Sequence, residues 1–329
     1  MRIGKVSENV LKRSVLKQIK VKREEVLIGA GIGADCAILA FENDEAIALS
    51  TGPIIINLKE QAHLSVYSAL NDIAAVGASP VGIMISAMLP VDYFESDIKE
   101  LMGDIQKTCE MLQVQTLGGH TEITDAVTRP IVTITGVGKI QKNTILYPQN
   151  VKPGQDIVLS KWIGLEGTWI LAKEHKEEIL TKYPEQFIRE TLEYDALLSI
   201  IPEAATAIKS GVTAMHDVTE SGIFGALWEV AESAGVGLTV DLKKIPIKQE
   251  TVEICEFFGL NPYELVSGGA LIMVSDKGQN LADALRREKI PATVIGTITD
   301  SKDRLILNED EKRFLERPKA DEIYKVMKQ

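Results

Sequence analysis

Four short segments, widely separated along the chain, each combine glycine or another small residue with a carboxylate. Glycine lets backbone N–H groups approach a polyanion closely, and carboxylates beside it can hold the Mg²⁺ that such an anion carries. The fold must bring these segments together if they share one ligand. They therefore predict a nucleotide-phosphate site assembled from residues 31–35, 70–80, 118–122 and 216–222.

Length and charge limit the class of protein. The chain has 329 residues, which suits two domains of roughly 150 residues each. Its net charge is −11 and its lysines and arginines are scattered, so we expect no binding to nucleic acid. An acidic protein that binds a nucleotide needs a divalent cation to neutralise the phosphates, which agrees with the carboxylates in the four segments.

The cysteines and the apolar runs bear on metal sites and location. Cys36, Cys109 and Cys255 lie far apart without Cys-x-x-Cys spacing, so neither a zinc site nor a disulfide framework is expected. Residues 1–20 lack the continuous apolar run of a signal peptide, and no run reaches the roughly 18 residues that span a membrane. We therefore expect a cytoplasmic protein that does not contact a membrane.

The pattern of apolar residues predicts a mixed α/β first half and an α+β second half. Pro148, Asn150, Pro153 and Gly154 mark a loop between them, so we place the domains at 1–147 and 148–329. In the first half we predict a helix after Ser7, a β-hairpin at 35–41 and 46–50, helices at 62–76 and 95–112, and strands at 81–89, 114–117 and 130–140. In the second we predict helices at 165–174, 184–199, 202–209, 221–233 and 277–288, and strands at 156–160, 237–241, 270–275, 292–298 and leading into 216–217.

The glycine-rich segment at 29–34 also matches the dinucleotide fingerprint G-x-G-x-x-A. That fingerprint needs a crossover helix after the glycines. Only about seven β-prone residues follow Ala34 before the next turn, which disfavours a dinucleotide-dependent oxidoreductase. A plain glycine turn is the other alternative.

The other three segments each have a structural alternative. Asn71 and Asp72 interrupt an apolar helix, where a carboxylate must be paired or coordinated unless both lie on an exposed stripe. Residues 118–122 follow a predicted strand, so they should emerge at its end, where ligand sites of α/β proteins form, although a lone histidine such as His120 is more often structural. Thr219 or Ser221 can cap the next helix, but that role leaves Asp217 unexplained.

In this order, the segments resemble the aminoimidazole-ribonucleotide (AIR) synthase superfamily, which includes thiamine-monophosphate kinase, selenophosphate synthetase, formylglycinamidine synthase and the hydrogenase-maturation protein HypE. The resemblance covers nearly the whole chain, and HypE and AIR-synthase-related proteins are the most similar branches. Its most specific motifs are residues 71–80 and 216–222, with 268–271 a weaker third.

The resemblance implies a PurM-like fold, in which the strands of the N-terminal α/β domain join those of a second copy in a dimeric β-barrel. It also implies ATP and Mg²⁺ as cofactors, a homodimer, and a small-molecule or protein-bound substrate whose amide or carboxamide oxygen is activated, or which receives a phosphoryl group. Positioning and charge neutralisation supply most of such catalysis.

Site residues follow from the matched motif positions. The resemblance implies metal or phosphate-site carboxylates at Asp35, Asp72 and Asp217, to which we add Glu122 and Glu220. We expect the nucleotide to contact Gly31, Gly33, Thr51, Asn71, Gly118, Gly119 and Thr121. We expect Asp217 and His120 to act in catalysis.

Three departures limit what the resemblance implies. Many members carry Thr-Asp after the second strand, whereas this chain has Thr51-Gly52, so one carboxylate is absent. His120 stands where the kinase and HypE branches commonly have Asp, and the sequence ends in Gln329 where HypE ends in a reactive cysteine. We therefore do not expect this C-terminus to undergo the HypE reaction, and a non-catalytic nucleotide-binding or scaffold homologue stays open as an alternative.

Overall fold

The computed structural model describes residues 26–28, 31–34, 36–40, 44–55 and 62–327. The predicted helix after Ser7 and the carboxylate of Asp35 lie outside these residues. The described residues form two compact units. One contains 26–28 and the described part of 36–145, and the other contains 31–34 and 146–327. The domain limits at residues 147 and 148 stay a prediction.

The first unit is a mixed sheet with two helices. Its strands are β1 (Val26–Ile28), β2 (Ala37–Ala40), β3 (Glu45–Ile55), β4 (Ser79–Leu89), β5 (Gln115–Ile123) and β6 (Ile131–Gln141). Its helices are α1 (Ala62–Ala75) and α2 (Glu95–Leu112). The strand order is β1-β2-β3-β6-β4-β5, antiparallel except for the parallel pair β4–β5. The predicted hairpin is confirmed by the β2–β3 pair, and both predicted helices are confirmed. The strand β2 after Ala34 contradicts the dinucleotide alternative, which needs a helix there.

The two faces of this sheet differ. Alternate residues of β3 and β6, such as Ala48 and Ile134, are buried, and α1 packs against these two strands. On the opposite face, Ile55 keeps 60% of its surface exposed and Met84 keeps 49%. An apolar sheet face that stays in water is costly, so this face has the character of an interaction surface.

Residues 118–122 are a segment of this unit whose predicted structure is wrong. They lie inside β5 rather than after its end. Among the described strands, β5 lies at one edge of the sheet. Its parallel pairing with β4 continues through the glycine pair to Ile123. The ladder with β4 therefore overrides the turn tendency of two adjacent glycines.

The second unit is a larger sheet covered by helices. Its strands are β7 (Asp156–Ser160), β8 (Ala214–Val218), β9 (Gly237–Asp241), β10 (Ala270–Ser275), β11 (Ala292–Thr299), β12 (Arg304–Asn308) and β13 (Glu311–Phe314). Its helices are α3 (Leu165–Glu174), α4 (Lys176–Ile179), α5 (Glu185–Leu192), α6 (Ile201–Lys209), α7 (Gly222–Ala234), α8 (Gln249–Phe258) and α9 (Gly278–Arg287). The order is β13-β12-β9-β11-β7-β10-β8, with only β12–β9 parallel among these described strands.

Helix α7 lies at the centre of this unit's core. Its apolar residues, among them Ile223 and Leu227, pack with buried residues of β7 and β10 such as Ile157 and Ile272. The predicted strands and the helices predicted at 165–174, 202–209, 221–233 and 277–288 are confirmed, whereas the helix predicted at 184–199 is α-helical only from Glu185 to Leu192 and continues as a 3₁₀-helix to Leu197. Helix α8 and the β12–β13 hairpin were not predicted. In the part of the chain described here, no helix is long and apolar enough to cross a membrane.

Candidate functional site

The first unit holds Asp72 on the side of α1 that faces β3. The hydroxyl of Ser50, a buried residue of β3, donates a hydrogen bond to Oδ2 of Asp72. Asp72 itself is partly exposed, whereas Asn71 keeps only 4% of its surface exposed. The exposed-stripe alternative is therefore wrong for Asn71. Asp72 is a carboxylate fixed by a hydroxyl group and still accessible to a ligand.

Thr51 and Gly52 follow Ser50 on β3. The hydroxyl oxygens of Thr51 and Thr135 lie 3.0 Å apart in a hydrogen bond between paired residues of β3 and β6. Within the described residues, no heavy atom lies within 4 Å of the place where a Cβ of residue 52 would be. Position 52 therefore has room for a carboxylate side chain, and crowding does not explain why it is absent.

The exposed strand β5 carries the predicted residues Gly118 to Glu122. The His120 and Glu122 side chains are 73% and 58% exposed, and Nε2 of His120 lies 3.3 Å from Oε2 of Glu122. Two residues apart on a strand, these side chains share one face. His120 is therefore not a buried core residue, and the pair is open to solvent together with Thr121.

Gly119 has a structural reason to be glycine. Its φ is +155°, and a Cβ there would lie 1.9 Å from the carbonyl oxygen of Ile85 on β4. Gly118 has a φ of +153°, and no described heavy atom lies within 4 Å of the point that its Cβ would occupy. Packing thus explains Gly119, whereas the role of both glycines in cradling phosphate stays a prediction.

Two of the four sequence segments converge on helix α7 of the second unit. Gly33, at a φ of +65°, approaches α7 so closely that a Cβ would lie 2.8 Å from the carbonyl oxygen of Glu229. Nε2 of His216, on β8, lies 3.0 Å from Oε2 of the same Glu229. Segments 31–34 and 216–222 are therefore neighbours, and Gly31 is exposed beside them.

Asp217 belongs to a group of carboxylates that also contains Glu166, Glu220 and Asp321. Asp217 and Glu220 were predicted from the sequence, and the other two were not. Asp217 is 3% exposed, at the end of β8. Oε2 of Glu166, in the first turn of α3, accepts a hydrogen bond from the N–H of Gly268 at 3.1 Å. Removal from water, reinforced by the charges of Asp321, Asp217 and Glu220, raises the pKa of Glu166 to about 7. Asp321, Asp217 and Glu220 are thus close enough to Glu166 to act on its protonation.

The C-terminal segment completes this group. Oδ2 of Asp321 accepts a hydrogen bond from the N–H of Ser221 at 2.7 Å, and the hydroxyl of Ser221 donates to the carbonyl of Lys319 at 2.6 Å. Burial raises the pKa of Asp321 to about 7, with the charge of Glu220 acting in the same direction. Tyr324 donates a hydrogen bond to Oε1 of Glu220 at 2.5 Å.

These contacts contradict the alternative in which the side chain of Ser221 caps helix α7. Ser221 precedes the first residue of α7, but its hydroxyl bonds to Lys319 and makes no capping bond. The N–H of Ser221 at this helix start is bonded instead by Asp321, which lies a hundred residues further along the chain. Glu166 and Asp321 were missed because no local pattern marks them, and only the tertiary fold brings them to the 216–222 segment.

The donors present suit Mg²⁺ that arrives with a nucleotide. Among the described residues, no three His, Cys, Asp or Glu side chains form a ready-made metal site. Mg²⁺ commonly binds one or two carboxylates and takes its other ligands from phosphates and water. Asp72, partly exposed and held by Ser50, offers such a carboxylate in one unit, and Asp217 and Glu220 are hard oxygen donors in the other.

Both units match family models. Residues 33–140 match the N-terminal domain, and residues 152–308 the C-terminal domain, of AIR synthase related proteins. The two-domain PurM-like fold is thereby established. The chain belongs to the AIR synthase related proteins and is similar to members of the HypE branch, as the resemblance implied.

Individual relatives give more detail than the two family models. A putative hydrogenase expression/formation protein of Methanocaldococcus jannaschii is 26% identical, over 98% of this chain and 97% of the relative. Carbamoyl dehydratase HypE of Cupriavidus necator is 28% identical, over 68% of this chain and 61% of the relative. The structure of hydrogenase maturation protein HypE in complex with ATP superposes with a TM-score of 0.72 at 17% identity, over 97% of each chain.

Proposed function

We propose that the protein is an ATP- and Mg²⁺-dependent enzyme, similar to HypE, that activates an amide or carboxamide oxygen or transfers a phosphoryl group. The observation that carries the proposal is Asp72, fixed by Ser50 and accessible, at the position where the family motif has a metal-site carboxylate. The solved relative that holds ATP supports the choice of nucleotide. The acceptor is a small molecule or a group on a partner protein.

Each predicted residue would have a defined task in this enzyme. Mg²⁺, when bound with the nucleotide, would neutralise charge on the phosphates. Asp72 is the carboxylate that would hold it in the first unit, and Asp217 is the one that would hold a metal ion in the second. Thr51, exposed on β3, offers a hydroxyl to the nucleotide. The paired His120 and Glu122 form an exposed acid–base couple at hydrogen-bond distance.

Calorimetry with ATP and Mg²⁺ tests nucleotide binding directly. We expect saturable binding that weakens when Mg²⁺ is replaced by a chelator, and slow release of ADP or AMP once an acceptor is supplied. An absence of binding at millimolar nucleotide would contradict the proposal. Binding without turnover on any amide, carboxylate or alcohol acceptor would favour the non-catalytic homologue, which the loss of a carboxylate at Gly52 also supports.

We also propose that the protein is a homodimer joined through the exposed apolar face of the first sheet. Ile47, Ile55, Met84 and Met88 point to this face, each with 38% or more of its surface exposed. A second copy would cover these side chains with identical ones, as a two-fold interface requires. Sedimentation equilibrium would report the mass of one chain if the proposal is wrong.

A further inference from the structure

A cavity of about 490 Å³ lies in the second unit, beside the start of helix α7. Ser221, Phe224 and Gly225 line one side, and the segment from Arg313 to Ala320 lines the other. Its volume is within the range of pockets that bind small organic molecules. Among its lining residues, Ser221 alone belongs to the four segments predicted from the sequence to form the nucleotide-phosphate site.

The floor of the cavity is apolar and partly aromatic. Ile306 and Leu315 are buried, and the ring of Phe224 stacks on Tyr263 with centroids 5.2 Å apart and planes at 10°. Phe314 lines the cavity with 66% of its surface exposed. Such a lining favours a flat, apolar ligand body.

The rim is rich in cations for a chain of net charge −11. Arg313, Arg317 and Lys319 line the cavity, together with Glu264 and Glu316. Glu316 forms an ion pair with Lys319, and the guanidinium of Arg313 lies 5.3 Å from the centre of the Phe224 ring. Arg313 thus places a positive charge beside the aromatic floor, where arginine binds carboxylate and phosphate groups well.

The cavity is built on the same segment that positions the carboxylates. Ser221 lines the cavity and also hydrogen-bonds Asp321 and the carbonyl of Lys319. Glu220, the preceding residue, is predicted to help hold the metal. A ligand in the cavity therefore lies beside the predicted catalytic segment.

We propose that this cavity binds the acceptor substrate, and that this substrate is a small aromatic or similarly flat oxyanion. The aromatic floor takes its body, and Arg313 binds its phosphate or carboxylate. The role of this ligand as an acceptor substrate rests on the proposed function. Its binding in the cavity does not require ATP.

Calorimetric titration of the nucleotide-free protein with phenyl phosphate tests the site. Arg313→Gln should weaken binding about ten-fold or more, which is typical of a lost charge-assisted hydrogen bond. Lys312→Gln removes the same charge from the adjacent exposed residue of β13, which does not line the cavity, and should leave the affinity unchanged. Equal affinities of the two variants would overturn the proposal.

Two further ligands separate the parts of the site. Orthophosphate and phenol should each bind at least about ten-fold more weakly than phenyl phosphate, because each lacks one half of the recognised group. Phe314→Ala should weaken phenyl phosphate and leave orthophosphate unaffected. Orthophosphate binding as tightly as phenyl phosphate would overturn the aromatic part of the proposal.

Titration in the presence of saturating Mg²⁺ and ATP tells this proposal from the proposed function. Phenyl phosphate should still bind, and competition with ATP would overturn its assignment to an acceptor site. If ATP fails to bind while phenyl phosphate binds in an Arg313-dependent way, the proposed function is wrong and the cavity remains a ligand site. If ATP binds but phenyl phosphate does not at millimolar concentration, the cavity proposal is wrong.

Discussion

The N–H of Gly268 donates a hydrogen bond to Oε2 of Glu166 at 3.1 Å, and this joins the loop before β10 to the first turn of α3. The acceptor has a pKa of about 7 because it is removed from water and lies near three other carboxylates. The carboxyl group of Glu166 therefore changes its charge within the physiological pH range.

Glu166→Gln should make the protein more stable at pH 8 and change little at pH 4. The native state raises the pKa of Glu166 from 4.5 to about 7, so it binds this proton more tightly than the unfolded chain does. The wild-type protein therefore loses stability as the pH rises from about 4 to about 7, and the variant escapes this loss, which amounts to about 3 kcal/mol at pH 8. The glutamine carbonyl still accepts from Gly268.

Urea unfolding between pH 4 and pH 8 measures the difference. Glu177→Gln, an exposed carboxylate on the following helix α4, is the matched control and should run parallel to the wild type. A constant difference between Glu166→Gln and wild type across this range would show that the native pKa is not raised.

Local sequence patterns predicted most of the elements and both of the motif carboxylates that the structure describes, Asp72 and Asp217. They could not predict the partners of these groups. Ser50 meets Asp72 only because β3 packs against α1, and Asp321 meets Ser221 only because the C-terminal segment returns to the start of α7. Long-range packing leaves no periodic signal in the sequence, which is also why Glu166 was missed.

The same limit explains the error at residues 118–122. Two adjacent glycines have a high turn tendency, but pairing with β4 supplies the hydrogen bonds that keep them in a strand. The structure supports a prediction that could not be made from the sequence alone. Gly119→Ala should destabilise the protein by about 3 kcal/mol or more, because a Cβ would lie 1.9 Å from the carbonyl oxygen of Ile85.

Gly118→Ala is the natural comparison, since its φ is almost the same but its Cβ would meet open space among the described residues. We expect it to cost about 1 kcal/mol, for the backbone conformation only. Chemical unfolding of both variants gives the two values. Equal losses would mean that the contact with Ile85 does not decide the residue at position 119.

Met84→Lys should turn the proposed homodimer into a monomer. Met84 lies on the exposed apolar sheet face at 49% exposure, and a charge there would have to be buried against a second copy. Sedimentation velocity at several protein concentrations measures the change. Met111→Lys, at 56% exposure on helix α2, makes the same substitution away from the sheet and should stay dimeric. A dimer that survives Met84→Lys would place the interface elsewhere.

Gly52→Asp should strengthen the binding of Mg²⁺ and ATP about ten-fold, by adding the carboxylate that many family members have at this position. The substitution has room, since no described heavy atom lies within 4 Å of the new Cβ, so the stability should change by less than about 0.5 kcal/mol. Gly52→Asn is the control of equal size, because an amide oxygen is a neutral and weaker ligand for Mg²⁺.

Calorimetry with and without Mg²⁺ separates the possible causes. A gain that appears only with Gly52→Asp and only in Mg²⁺ would mean that Asp72 lies in a metal site that lacks one carboxylate. A gain in both variants, or one that persists in a chelator, would come from contacts to the nucleotide itself. No gain at all would mean that the site beside Ser50 and Asp72 has its own arrangement, in which a carboxylate at position 52 does not reach the metal.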